Sequence, residues 1–218
     1  MVKRGHKVTL HARNAQRAQD AEKACPGADG SLVADLSNLD ETKQLAKELN
    51  SKGPWDTIIH NAGVMRSGNI FATNTLAPYV LTCLVQPPPK RLVFLSSQLH
   101  QGGDATLKTL QSCGYGDSKL HNTMMAFAFA RRWGPAVTVT SLDPGWVATK
   151  MGGASAPGDI KASVESYVSL AEGTANGAGG QHWYHQGKRS FQQGAADEST
   201  QEKLLKELES ISGVSVPD

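Results

Sequence analysis

Short β-branched apolar runs alternate along the chain with segments whose apolar residues recur at helical spacing. The runs predict strands at residues 7–12, 31–34, 56–60, 91–96 and 137–142, with a sixth at 181–185. The helical spacing predicts helices at residues 15–25, 39–50, 115–133 and 198–210. Strands that alternate with helices are typical of a parallel sheet with crossover helices. The pattern therefore predicts an α/β fold with a doubly wound parallel sheet, forming a single domain over residues 1–218.

Composition and charge exclude several classes of partner. The chain has 218 residues, 39% of them hydrophobic and 19% charged, with a net charge of +2. These values are ordinary for a globular protein, and they give no reason to expect nucleic acid as a partner. The apolar runs are too short to span a bilayer, and the polar first residues do not resemble a signal peptide. We expect a cytoplasmic protein with no membrane partner.

Cysteine and histidine spacing gives no sign of a metal site. The three cysteines are an odd number without C-x-x-C spacing, so we expect reduced thiols. His182 and His185 lie close together, but no third ligand is spaced to complete a site. We therefore predict no metal.

Tyr115 and Lys119 are the residues whose spacing carries chemistry most directly. They lie four positions apart on a predicted helix, so both side chains emerge on one face. An ammonium beside a phenol is expected to lower the pKa of the phenol. A phenol of lowered pKa exchanges protons near neutral pH, which is general acid–base chemistry at a carbonyl or an alcohol.

Polar residues also follow two predicted strands at the edge where open α/β sheets bind ligands. Ser97 ends the strand at 91–96, and its hydroxyl could hydrogen-bond the carbonyl oxygen that Tyr115 protonates. Asn61 and Gly63 follow the strand at 56–60, and a glycine there permits close approach of a ligand to the backbone. Asn74 interrupts an otherwise apolar helix, either as a buried amide bonded to backbone or as an anchor for a water leading to Lys119.

Together these residues resemble the short-chain dehydrogenase/reductase family. The family's catalytic tetrad is matched by Asn74, Ser97, Tyr115 and Lys119, and residues 144–149 match its nicotinamide-side motif. The resemblance extends over essentially the whole chain. Residues 10–14, 74–82, 117–121 and 144–153 are similar to the daunorubicin C-13 ketoreductase-like subgroup.

The resemblance implies a Rossmann-like sheet and a role for each member of the tetrad. Tyr115 would act as acid or base, and Ser97 would orient the carbonyl. Lys119 would lower the pKa of Tyr115 and hold the ribose, while Asn74 would maintain a proton relay.

The resemblance also implies a site for NADP(H). Arg13, just past the first strand, would face a 2′-phosphate, since an acidic residue there would favour the unphosphorylated cofactor. The other implied cofactor residues are Asp35, Leu36, Asn61, Ala62, Gly63, Tyr115, Lys119, Pro144, Gly145, Val147 and Thr149. The expected substrate contacts are His100, Trp146 and Met151.

The sequence departs from the family pattern at its beginning. Residues 2–5 resemble only the end of a helix, so we expect the first strand, the glycine-rich turn and most of the first helix to be missing. Losing the pyrophosphate cradle would cost about 4 kcal/mol of binding, or roughly a thousandfold in affinity. The missing strand would lie centrally, between residues 7–12 and 56–60. Direct pairing of these two strands, a partner chain in the gap or irregular packing would satisfy the freed backbone groups, and we expect direct pairing.

Three functions stay open at this point. The first is an NADPH-dependent ketoreductase or alcohol dehydrogenase acting on a bulky carbonyl in secondary metabolism. The second is a redox-neutral enzyme with no bound cofactor, such as an isomerase, an aldol-type enzyme, a dehydratase or a cyclase. The third is a non-catalytic partner subunit. A small-molecule carbonyl or alcohol substrate is expected for the first two, and the tetrad helix could serve as the interface of a homodimer.

Overall fold

Helices and strands alternate along the chain as the apolar pattern predicts. The computed structural model describes residues 1–66 and 68–217. The strands are β1 (Leu10–Ala12), β2 (Ser31–Val33), β3 (Thr57–His60), β4 (Arg91–Leu95), β5 (Thr138–Asp143), β6 (His182–Tyr184) and β7 (Gly187–Lys188). The α-helices are α1 (Ala15–Ala24), α2 (Leu39–Lys52), α3 (Ala77–Leu84), α4 (Tyr115–Trp133), α5 (Ile160–Glu172) and α6 (Glu198–Ser212). All six predicted strands and the four helices predicted with bounds are present. The apolar helix predicted around Asn74 is present as a π-helical turn at Ala72–Leu76 followed by α3, whereas α5 and β7 were not predicted.

The strands form two separate sheets. One has five strands in the order β3-β4-β5-β6-β7, of which only β7 is antiparallel to its neighbour. The other consists of β1 and β2, paired in parallel with Leu10 opposite Ser31. The fold is thus a Rossmann-like α/β fold with a mostly parallel central sheet.

The prediction that residues 7–12 pair directly with residues 56–60 is wrong. Among residues 1–66 and 68–217, β4 is the only strand hydrogen-bonded to β3. Helix packing explains this separation: Leu32 and Leu36 share a buried cluster with Leu45 of α2 and Leu81 of α3. Helix α2 packs on α3, so the diameters of these helices fix the position of β1 and β2. The two sheets therefore do not come within the distance of roughly 4.8 Å that strand pairing needs.

The N-terminal residues contact α5 instead of β3. The Arg4 guanidinium donates two hydrogen bonds of 2.7 Å to the Glu172 carboxylate, and His6 Nε2 lies 2.7 Å from the same group. These contacts, Arg4 first, lower the pKa of Glu172 to about 2. The last turn of α5 is also joined to the sheet, since Arg91 Nε and Thr57 Oγ1 both donate to the Ala171 carbonyl. The end of α5 therefore connects the N-terminus to β3 and β4.

Helix α4 lies in the largest core. Leu120, Met124 and Phe129 are fully buried against the sheet, α3 and α6. Leu204 and Leu208 of α6 are buried in the same cluster, so the amphipathic pattern of α6 reflects docking on α4. Helix α6 thus covers one face of α4. Over the ranges that the structure describes, no helix is both long enough and apolar enough to cross a membrane.

Candidate active site

The site lies where the parallel strands β3, β4 and β5 end. Asn61, Ser97 and Asp143 come at or just after the carboxyl ends of these three neighbouring strands. Helix α4 begins at Tyr115, and its start is fixed by Asp117, whose carboxylate accepts the Gly114 N–H at 2.8 Å. The sheet and the first turn of α4 therefore meet at one edge, as the sequence predicts.

Tyr115 is partly buried, and its phenol is held in the neutral form. Burial raises the pKa of Tyr115, the negative charge of Asp143 raises it further, and a hydrogen bond with the Ser97 side chain opposes both. The hydroxyl lies 3.8 Å from the Met151 sulfur. The prediction of a lowered pKa for Tyr115 is therefore wrong in this structure, because burial and the charge of Asp143 raise it.

Lys119 is buried under the ring of Tyr115. Its side chain nitrogen lies 5.4 Å from the centre of that ring and donates to the Leu95 carbonyl at 2.9 Å. The residue is 4% exposed. Burial lowers the pKa of Lys119 to about 8. The lysine is therefore held next to the phenol, and its ammonium loses its proton more easily than that of an ordinary lysine.

Ser97 follows β4 and begins a short 3₁₀ helix at Gln98–Gly102. Its hydroxyl accepts the Leu99 N–H at 3.3 Å, while its carbonyl oxygen lies 2.6 Å from His100 Nδ1. The other ring nitrogen of His100 accepts the Gln192 N–H at 3.3 Å. His100 is 1% exposed, so the structure does not place it as the predicted substrate contact. Both ring nitrogens are therefore bonded to backbone groups. In a neutral ring one nitrogen donates and the other accepts, so Nδ1 donates to the Ser97 carbonyl and Nε2 accepts from Gln192.

Asn74 connects the loop after β3 to the first turn of α4. Its amide exchanges two hydrogen bonds with the backbone of Val64 and donates a third, of 3.0 Å, to Ser118 Oγ. Asn74 lies in a single π-helical turn at Ala72–Leu76, a feature that often occurs at functional sites. A Cβ atom at Gly63 would lie 3.3 Å from the Asn74 oxygen and 3.5 Å from the Lys119 nitrogen. Glycine therefore lets the backbone pass close to both side chains, whereas a Cβ atom would press on the Asn74 oxygen.

The segment after β5 forms one wall of the site. Gly145, with a φ of 80°, donates its N–H to Asp143, and Val147 forms a parallel bridge with Gly158. Residues 152–158 fold back on this segment, since the Trp146 indole donates to the Gly152 carbonyl and the Gly152 N–H bonds Thr149. The segment reaches the phenol through Met151, whose sulfur lies 3.8 Å from the Tyr115 hydroxyl.

The predicted adenosine residues lie together on the smaller sheet. Asp35 follows β2 and accepts two hydrogen bonds from Ser37. These bonds hold the pKa of Asp35 below its usual value, and the Arg13 guanidinium at the end of β1 adds to the effect. Arg13 is exposed, whereas Leu36 is buried in the cluster with Leu45, so the structure does not place Leu36 as the predicted cofactor contact.

Tyr167 of α5 is a site residue that the sequence analysis missed. Its hydroxyl donates to Asn61 Oδ1 at 3.0 Å, and the pKa of Tyr167 is raised by burial, then by Tyr115 and Asp143. The signal for this helix was available, since Ile160, Val164 and Val168 recur every four residues after an aspartate cap. Tyr167 therefore places a second phenol on the side opposite α4.

The described residues fit the two ends of a dinucleotide but not its middle. Arg13 suits an adenosine phosphate, and Tyr115 and Lys119 suit a ribose and nicotinamide. Within residues 1–66 and 68–217, no strand, glycine-rich turn and helix stand beside the free edge of β3 to bind a pyrophosphate. The side chain of Asn61, on the path between the two ends, is already bonded to Tyr167.

A parallel α/β sheet with a serine, a tyrosine and a lysine at its carboxyl edge is the arrangement of an oxidoreductase. The family model described as short chain dehydrogenase matches residues 1–159. The chain belongs to the short-chain dehydrogenase family.

Relatives and solved structures agree with this placement. The chain is 46% identical over 233 residues to an uncharacterized oxidoreductase of Emericella nidulans, covering 100% of this chain and 91% of that protein. It is 38% identical to the short-chain dehydrogenase chyC of Penicillium rubens, with coverages of 100% and 92%. An uncharacterized protein from Mycobacterium paratuberculosis shares the fold, with a TM-score of 0.80, 21% identity and coverages of 100% and 88%.

Replacing Lys119 by methionine should stabilise the fold and impair the site. Because burial lowers the pKa of Lys119 to about 8, the unfolded chain binds this proton more tightly than the folded protein. Burying the charged lysine therefore lowers the free energy of unfolding. This destabilisation is fully present below about pH 8 and is lost as the pH rises toward the ordinary lysine pKa. The Leu95 carbonyl keeps a partner in the variant, because Asn122 also donates to it.

We therefore expect Lys119→Met to gain roughly 1–3 kcal/mol in free energy of unfolding at pH 7, measured by urea denaturation. Lys206→Met, at an exposed position of α6, is the matched control and should change stability by less than about 0.5 kcal/mol. A Lys119→Met protein no more stable than the wild type would contradict the cost assigned to this buried lysine.

Proposed function

We propose that this protein is an NADP(H)-dependent ketoreductase that acts on a bulky, apolar carbonyl compound. One observation carries the proposal. Tyr115 and Ser97 lie close together below an exposed apolar rim, which consists of Leu99, Trp146 and Met151. Tyr115 is the proton donor, and its raised pKa keeps that proton on the phenol at neutral pH. Ser97, which follows β4, binds the same carbonyl oxygen in this proposal.

The residues of the chain handle the proton and the orientation of the substrate. The nicotinamide, when bound, supplies the hydride. Tyr115 breaks its O–H bond to protonate the substrate oxygen, and the nearby Lys119 stabilises the tyrosinate that results. Asn74 is a positioning residue in this scheme, since it bonds Val64 and Ser118 and so fixes the loop after β3 against the first turn of α4.

The substrate class follows from the rim of the site. Leu99, Trp146 and Met151 are 52%, 63% and 48% exposed, unusually high for large apolar residues. Met151 contacts the Tyr115 hydroxyl, and the Leu99 backbone packs on Gly116 in the first turn of α4. A bulky apolar substrate would cover this surface. The similarity to daunorubicin C-13 ketoreductase-like proteins supports an aromatic or polyketide-like ketone of secondary metabolism.

The choice of NADP(H) is supported by residues of the smaller sheet and by structural neighbours. Arg13 is an exposed cation next to Asp35 at the end of β1. A carbonyl reductase from chicken fatty liver, solved with NADPH bound, shares the fold with a TM-score of 0.63, 22% identity and coverages of 84% and 86%. A short-chain dehydrogenase/reductase from Burkholderia multivorans, solved with NADP, has a TM-score of 0.68 and 24% identity.

Titration with NADPH tests the cofactor directly. Without a pyrophosphate cradle among the described residues, the affinity should be roughly a thousandfold below the micromolar range, which gives a millimolar Kd by fluorescence or calorimetry. Arg13→Gln should weaken NADPH more than NADH, because only NADPH carries the 2′-phosphate. If NADPH does not bind saturably at millimolar concentrations, the ketoreductase proposal fails, and redox-neutral proton chemistry at Tyr115 becomes the better account.

Removing the phenolic hydroxyl tests the proton donor. Tyr115→Phe should lower kcat/KM for NADPH-dependent ketone reduction by about 100- to 10,000-fold, because the general acid is lost. Tyr79→Phe is the matched control: it removes a buried hydroxyl that donates to Val214, so it should lower the melting temperature and leave kcat/KM near the wild-type value. Equal activity of Tyr115→Phe and wild type would remove Tyr115 from the mechanism.

A third measurement tests the apolar rim. Leu99→Ser should raise KM for bulky aromatic ketones by about tenfold with little change in kcat, because apolar contact with the substrate is lost. Val164→Ser, at an exposed apolar position on α5, should leave KM unchanged. A Leu99→Ser protein with the same KM for small and bulky ketones as the wild type would show that the rim does not bind substrate.

A further inference from the structure

A thioether lies against the hydroxyl of the proton donor. The Tyr115 hydroxyl donates to the Met151 sulfur, with 3.8 Å between the two atoms. A thioether sulfur is only a weak hydrogen-bond acceptor, whereas the carbonyl oxygen of a ketone is a good one. A ketone substrate therefore displaces the sulfur from the phenol, and Met151 in its reduced form leaves the proton of Tyr115 available.

A hydrogen-bonded turn presents Met151 at this position. The Gly152 N–H donates to Thr149 Oγ1 at 3.0 Å, and the Gly153 N–H donates to the Thr149 carbonyl at 2.9 Å. The Trp146 indole donates to the Gly152 carbonyl at 2.8 Å. The backbone around Met151 is thus held by three bonds, so the fold positions the sulfur beside the phenol.

Met151 is also the most exposed of the five methionines of the chain, all of which lie in the described residues. It is 48% exposed, whereas Met124 and Met125 are 0% exposed in the core around α4. Met1 and Met65 are partly buried. An oxidant has to reach the sulfur of a methionine to convert it to the sulfoxide. The exposure therefore predicts that Met151 is oxidised first.

Oxidation turns this weak acceptor into a strong one next to the phenol. Methionine sulfoxide carries a polar oxygen on the sulfur. A hydroxyl donates to such an oxygen over about 2.7 Å. With a bend at the sulfoxide oxygen, that bond spans a sulfur-to-hydroxyl distance close to the 3.8 Å between Met151 and Tyr115. The sulfoxide therefore fits against Tyr115 without a shift of the turn, and it occupies the donor that the substrate carbonyl needs.

We propose that Met151 is a redox-sensitive modification site, at which hydrogen peroxide forms a methionine sulfoxide that binds the Tyr115 hydroxyl and inhibits the enzyme. The sulfur takes one oxygen from the peroxide, the O–O bond breaks and water leaves, so the sulfur is oxidised by two electrons and the peroxide is reduced. A methionine sulfoxide reductase with a thiol reductant restores the thioether. The inhibition rests on the proposed function, whereas the oxidation of Met151 and its contact with Tyr115 do not.

Peptide mass spectrometry tests the site independently of activity. Trypsin releases Met151 in a peptide of residues 151–161, Met65 in residues 53–66 and the two core methionines in residues 120–131. Brief treatment of the folded protein with hydrogen peroxide should oxidise the first peptide faster than the other two. In urea the three peptides should oxidise at similar rates, because burial no longer protects any of them. Equal rates in the folded protein would overturn the proposal.

Fluorine NMR tests the contact between the sulfoxide and the phenol without cofactor or substrate. The chain has four tyrosines, so fluorotyrosine labelling gives few signals, and Tyr115→Phe assigns the one of interest. Peroxide treatment should shift the Tyr115 signal in the wild type and leave it in place in Met151→Leu. A Tyr115 signal that does not move when Met151 is oxidised would overturn the proposal.

Ketone reduction gives the functional readout. Peroxide should lower kcat/KM of the wild type by about tenfold, the factor that corresponds to one net hydrogen bond, and a methionine sulfoxide reductase should restore it. Met151→Leu should have the same kcat/KM before and after peroxide, whereas the matched control Met65→Leu should lose activity as the wild type does. Recovery with dithiothreitol alone would assign the loss to a cysteine thiol and would contradict the proposal.

A permanent acceptor at this position should imitate the oxidised state. Met151→Gln places an amide next to the Tyr115 hydroxyl and should have a lower kcat/KM than Met151→Leu without any peroxide. Equal kcat/KM in the two variants would show that an acceptor there does not inhibit. If the wild type reduces no ketone, the proposed function fails, while the peptide and NMR measurements still decide whether Met151 is the modification site.

Discussion

The burial of helix α4 is the constraint on which the rest of the structure depends. From Ser118 to Phe129 this helix is enclosed by the sheet, α3 and α6, so each of its polar groups needs a partner inside the protein. Lys119 and Asn122 share the Leu95 carbonyl, and Thr123 bonds Ser96. These bonds lock the end of β4 against α4. They also fix Ser97 and Tyr115, so the contacts that stabilise the fold set the geometry of the site.

The separation of the two sheets has a cause other than the burial of α4, and it bears on cofactor binding. Strands β1 and β2 are positioned through the packing of α2 on α3, and no described strand joins them to β3. The residues suited to an adenosine phosphate therefore lie on one sheet, while Tyr115 and Lys119 belong to the other. Affinity for a dinucleotide depends on how well helix packing maintains the distance between these halves, because no continuous ladder of hydrogen bonds sets it.

Much of this arrangement could be predicted from the sequence, because strand runs and the spacing of Tyr115 and Lys119 are local features. The separation of β1 from β3 could not, since it depends on α2 meeting α3, far apart in sequence. The burial of His100 was equally hidden, because Gln192 binds its ring from a distant segment. Tyr167 was missed with α5, although the helical period there was readable.

The state of Tyr115 shows most clearly where local reasoning fails. A lysine four residues away on the same helix predicts a lowered pKa for the phenol, and the structure does place the two side chains together. Burial lowers the pKa of Lys119 to about 8, however, and burial also penalises the tyrosinate. Asp143, at the end of β5, raises the pKa of the phenol further. The chemistry of the site is therefore determined by which charges the fold brings to the phenol, and the Tyr-x-x-x-Lys spacing supplies only one of them.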